Sequence, residues 1–63
     1  KLSNREYEVF RRLARGESSG EIATTLGLSV KSVSTYRTRV LEKLGLARNA
    51  DLTRYALKHG LID

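Results

Sequence analysis

The tripeptide Gly27-Leu28-Ser29 constrains this chain more than any other feature. A helix that ends before it can close on Gly27, which enters the left-handed conformation without steric cost, and Ser29 is a preferred N-cap for the next helix. Leu28 lies between them as a buried plug. Two helices joined by a three-residue turn are the signature of a helix-turn-helix. Gly16, Gly45 and Gly60 repeat the C-terminal signal, so that glycine ends each of four apolar-periodic segments.

The first segment carries Ser3 and Glu6 at the spacing of a capping box, with Leu2 and Tyr7 as a hydrophobic staple. Val9, Phe10 and Leu13, rimmed by Tyr7 or Ala14, form its apolar stripe. Ser18 and Glu21 repeat the box, and Ile22, Ala23 and Leu26 give the second helix its buried face. On a wheel of the third segment, Val30, Val33, Val40, Leu41 and Leu44 share one arc, with Tyr36 at its edge and Arg37 within it. Lys31, Ser34, Thr35, Thr38 and Glu42 lie opposite, flanked by Arg39. The fourth helix is expected to start on Asn49 as N-cap, and Leu52, Tyr55, Ala56 and His59 form its core stripe. Leu61 and Ile62 then fold back on the core. The predicted helices cover about 4–15, 19–26, 30–44 and 49–59, a single all-α domain over residues 1–63.

Sixty-three residues without cysteine make one small domain with no disulfide, and the single histidine precludes a structural zinc site. No apolar run approaches the ~20 residues that cross a bilayer. The chain opens on Lys1, which points to a processed chain or a domain of a longer protein. Charge is unevenly placed: residues 1–28 hold five basic and four acidic side chains, residues 29–63 seven and three. A basic half of this kind suits a polyanionic partner.

Catalysis has no constellation to stand on. A nucleophile needs a base held by a third group, and the only histidine, His59, sits on the stripe of the last helix as a partly buried or rim residue. Glu6 and Glu21 are accounted for as caps. The sequence therefore predicts no enzyme, no metal and no cofactor. DNA reading fits better. A recognition helix enters the major groove and shows its N-terminal residues to base edges, and Lys31, Ser34, Thr35 and Thr38 occupy that place. Arg37, Arg39, Lys43 and Arg48 suit phosphates, with Ser29 and Tyr36 as further backbone-contacting positions. An ordinary solvated face is the competing reading, but small hydroxyl residues are poor helix formers that such a face would not choose.

The stretches Leu2-Ser3-x-Arg5-Glu6-x-x-Val9, Gly16-x-Ser18-x-x-Glu21-Ile22-Ala23-x-x-Leu26, Ser29-x-x-Ser32-Val33-Ser34-x-Tyr36-Arg37 and Lys43-Leu44-Gly45 resemble the LuxR/FixJ/NarL-type helix-turn-helix domain over residues 2–62. The resemblance implies a four-helix, wingless output domain of a bacterial response regulator, usually C-terminal to a receiver domain whose phosphorylation releases or dimerises it. It implies base contacts from Ser34, Thr35 and Thr38 with Lys31 nearby, and dimerisation through the last helix. RNA polymerase is a further expected partner, and the expected location is the bacterial cytoplasm, on the nucleoid when bound. Two positions depart from the family pattern: Tyr36 stands where many members carry His, and Asn49 where Arg is common.

Two other functions compete. A sigma-factor segment that reads promoter DNA uses a similar motif, and a basic protein-interaction module would dock an acidic partner without binding any duplex. Membrane binding is disfavoured because helix 3 has no apolar face left after packing the core. Leu57 lies off the core stripe of the last helix, on the side of Ala50, Thr53 and Arg54. That face is the expected two-fold contact of a homodimer on DNA.

Overall fold

Serine hydroxyls start three of the four helices. In the computed structural model, which describes residues 1–63, α1 spans Asn4–Ala14, α2 Ser19–Leu26, α3 Val30–Leu44 and α4 Asn49–Lys58, and there is no strand. The Glu6 N–H donates to Ser3 Oγ at 3.1 Å while the Ser3 N–H donates to Glu6 Oε1 at 2.9 Å. Ser18 and Glu21 form the same reciprocal pair at 3.1 and 2.8 Å. Each box satisfies two backbone donors that a helix start leaves without partners. Ser29 accepts the Ser32 N–H at 3.0 Å and so fixes where α3 begins.

Gly27 ends α2 at φ 68°, a left-handed conformation that lets the Leu28 N–H reach back to the Ala23 carbonyl at 2.9 Å. Leu28 is half-buried against the core. The chain therefore turns without a free segment, and α3 leaves α2 at an angle set by three residues.

α1 is the hub. It packs on both α3 and α4, and α2 rests chiefly on α3. Val9, Phe10, Leu13 and Ala14 of α1 meet Ile22 and Ala23 of α2, Val33, Val40 and Leu41 of α3, and Leu52 and Ala56 of α4 in one buried cluster. Fully burying a side chain of this size contributes about 1.5–3 kcal/mol, so these few residues dominate the stability of so small a domain. Tyr55 and Phe10 meet edge to face with ring centroids 6.0 Å apart. The tail returns as expected: the Leu61 N–H bonds the Ala56 carbonyl at 2.8 Å, and Arg11 Nε donates to the Leu61 carbonyl at 3.3 Å.

Three expectations need correction. Val30, placed on the core arc by its wheel angle, is 52% exposed. It is the first residue of α3, where the helix projects past its neighbours, and a wheel carries no information about where packing ends. Asn49 is not the N-cap of α4. Arg48 holds that position, and the carboxylate of Asp51 takes the Arg48 and Ala47 N–H groups at 3.0 and 3.3 Å. His59 lies beyond the last turn of α4, exposed, with its ring 4.3 Å from that of Tyr55 instead of in the core.

Candidate nucleic-acid interface

Burying Val33, Val40 and Leu41 turns the opposite side of α3 outward. Lys31, Ser34, Thr35 and Thr38 are all exposed there. At 100° and 1.5 Å per residue they fall within an arc of about 100° and a length of about 10 Å. At 3.4 Å per base pair a strip of that length spans about three base pairs, and the major groove, about 12 Å wide, admits the helix that carries it. The Thr35 hydroxyl donates to the Lys31 carbonyl at 3.1 Å, which uses its one donor and leaves its oxygen able to accept on an exposed residue. Thr35 is thus presented as an acceptor, whereas the side-chain hydroxyls of Ser34 and Thr38 have no partner in the chain.

The bases and hydroxyls expected at phosphates are not equivalent. Arg39 and Arg48 are exposed and make no ion pair. Tyr36 is half-buried against the core, so that only part of it is accessible. The Ser29 hydroxyl is engaged at the cap, accepting from the Ser32 N–H and donating to Ser32 Oγ at 3.0 Å. Arg37 is half-buried and donates through Nε to Asn49 Oδ1 at 2.7 Å.

Lys43 is held elsewhere. Its Nζ donates to Glu6 Oε1 at 2.8 Å and to the Lys1 carbonyl at 3.2 Å. The Lys43 ammonium, followed by the Ser3 N–H, keeps the Glu6 carboxyl below the usual carboxylate range against an opposing effect of burial. Asp51 is also held low, first by the Arg48 N–H and then, against burial, by the Ala47 N–H and Arg54. Neither the Arg37–Asn49 bond nor the Lys43–Glu6 pair has a signal in the local sequence, because the partners lie 12 and 37 residues apart. On α4, Ala50, Arg54 and Leu57 are exposed, Leu57 to 51%, while the Thr53 hydroxyl is tied to the Ala14 carbonyl at 2.9 Å. No three His, Cys, Asp or Glu side chains are grouped to hold a metal ion, and no helix is long and apolar enough to cross a membrane.

The sequence that folds in this way has counterparts among known proteins. Residues 1–56 match the GerE family, described as bacterial regulatory proteins of the luxR family. The chain belongs to the luxR family. It is the DNA-binding helix-turn-helix domain of that family. Its similarity extends to the oxygen regulatory proteins NreC of Staphylococcus carnosus (strain TM300) and Staphylococcus aureus (strain JH9), each 42% identical over 62 residues and 98% of this chain. The luxR-family chain spans 29% of the length of those relatives.

Proposed function

We propose that this luxR-family domain binds double-stranded DNA sequence-specifically, with α3 in the major groove. The observation that carries the reading is the shared exposure of Lys31, Ser34, Thr35 and Thr38 on one face of α3 while Val33, Val40 and Leu41 are buried on the other. Lysine and the hydroxyls donate or accept at base edges, and threonine methyls contact thymine methyls. Arg37, Arg39 and Arg48, with the accessible parts of Ser29 and Tyr36, lie on the phosphates and set the register without reading sequence.

The similarity to NreC supports a role as the output domain of a two-component response regulator with a receiver domain in the full-length protein. In that setting the domain works in the bacterial cytoplasm, on the nucleoid, as a homodimer on DNA and in contact with RNA polymerase. Its function is recognition, without catalysis. Selection of bound duplexes from a random pool tests the reading. One enriched sequence, bound with an affinity that falls steeply with salt, is the expected outcome. Neutralising about five phosphates gives a log–log slope near −4.5. Absence of binding to any duplex would favour a protein-docking module instead.

A further inference from the structure

The fold treats Arg37 unlike the other bases of the C-terminal half. Lys43 and Arg54 are paired with the carboxylates of Glu6 and Asp51, and Lys31, Arg39, Arg48 and Lys58 make no ion pair. Arg37 is held by a neutral group, the side-chain amide of Asn49, through Nε at 2.7 Å. Neither of its Nη atoms bonds anything in the chain.

A guanidinium is planar, with its donors in a fixed fork. An acceptor on the Nε side restrains that plane and leaves the two Nη groups as a paired donor edge, the geometry that grips two oxygens of one phosphate. The amide oxygen also carries no net charge. A carboxylate in its place would neutralise Arg37 and repel an approaching phosphate, as Glu6 and Asp51 are placed to do for Lys43 and Arg54. Asn49 can take this part because it is the first residue of α4 and leaves the capping of that helix to Asp51.

We infer that Asn49 is a positioning residue for DNA: it aims the Arg37 guanidinium at a backbone phosphate while leaving its charge free. The inference rests on the placement of α3 on DNA proposed above. Its test is a salt titration of binding to a mixed-sequence duplex of about 20 base pairs, well below the melting temperature of every variant used. Asn49→Ala keeps the charge but releases the guanidinium. Affinity then falls roughly 3- to 10-fold, the range of one hydrogen bond, and the salt slope is kept. Asn49→Asp keeps an acceptor but neutralises Arg37, so affinity falls further and the slope shrinks by about 0.9, one phosphate. In an Arg37→Ala background Asn49→Ala has no further effect, which a purely structural role would not produce. The inference is overturned if Arg37→Ala weakens binding while Asn49→Ala matches wild type, or if Arg37→Ala itself binds as wild type. Failure of the wild-type chain to bind the duplex under any salt condition would instead overturn the DNA reading on which the inference stands.

Discussion

Lys43, in the last turn of α3, reaches Glu6 in the first turn of α1 and bonds its carboxylate at 2.8 Å. Glu6 is the one charged side chain buried in the domain, and it serves two elements at once. It closes the capping box of α1 and anchors the far end of α3. A buried carboxylate that lost its cation would keep its desolvation cost without compensation, so the pair fixes how α3 is carried on α1.

Acid should undo this arrangement. Glu6 and Asp51 both have pKa values lowered by folding, so they contribute stability that is complete above their unfolded values, about 4.3 and 3.9. That contribution is lost as pH falls through the lower folded values. Glu6→Gln keeps an oxygen for the Ser3 N–H but removes the charge facing Lys43. Thermal melts should show the variant less stable than wild type at neutral pH, with the gap closing as the pH falls below the unfolded carboxylate range and through the lower folded value. A gap that is independent of pH would mean that the charge contributes nothing.

Lys43→Ala extends the same argument to function. It should lower the melting temperature and leave the salt dependence of DNA binding unchanged, because the ammonium is engaged by Glu6. A slope reduced by about 0.9 would return Lys43 to a phosphate.

Base reading is tested on the outer face of α3. Thr38→Ala should weaken binding to the selected duplex by about 1–3 kcal/mol and relax preference at one position, with folding intact. Thr35→Val keeps a methyl group and removes the hydroxyl, so the bond to the Lys31 carbonyl and the acceptor oxygen are lost together. It should therefore alter preference at a position where the base edge offers a donor. Unchanged sequence preference in both variants would remove α3 from the groove.

Ser29 separates capping from DNA contact. Asp caps a helix about as well as Ser, so Ser29→Asp should stay within about 0.5 kcal/mol of wild-type stability. Placed at a phosphate, the new charge should weaken binding to all duplexes alike. Unaltered affinity would confine Ser29 to the cap.

The parts of this molecule that the sequence disclosed are those with local causes. Ser3 with Glu6, Ser18 with Glu21, and Gly27 before Ser29 each act within three or four residues, and periodicity alone separates Val33 and Val40 from Ser34 and Thr38. What stayed hidden depends on distant neighbours. The wheel gave Val30 an inward direction but not the end of the helix it would pack against. It placed His59 on a stripe that extends past the last buried turn. The pairing of Lys43 with Glu6 was silent too, since nothing near either residue in sequence announces the other. Asn49 looked like a cap because its chemistry suits one, whereas the folded chain uses Asp51 for that task and gives the amide to Arg37.

Assembly on DNA is expected to run through α4. Leu57 is 51% exposed, the largest uncovered aliphatic side chain on that helix, and Ala50 and Arg54 are exposed on the same side. Thr53, expected in the same contact, has its hydroxyl engaged by the Ala14 carbonyl, so its part is to hold the face in place against α1. A lone exposed leucine is ordinary on a protein surface, and the patch is far below the roughly 1,000 Å² that a stable interface in solution buries. Two domains bound to adjacent half-sites are a different case, because DNA holds them at high effective concentration. A two-fold arrangement would set the Leu57 face of one copy against that of the other, and even a weak contact would appear as cooperativity. Leu57→Glu should leave affinity for a single half-site within about twofold, since a surface substitution of this kind shifts free energy by about 0.5 kcal/mol or less. It should abolish cooperative filling of a duplex with two half-sites by placing like charges face to face. Unaltered cooperativity in that titration would remove α4 from the contact, and a large fall in melting temperature would show that Leu57 packs under the Leu61-Ile62 tail.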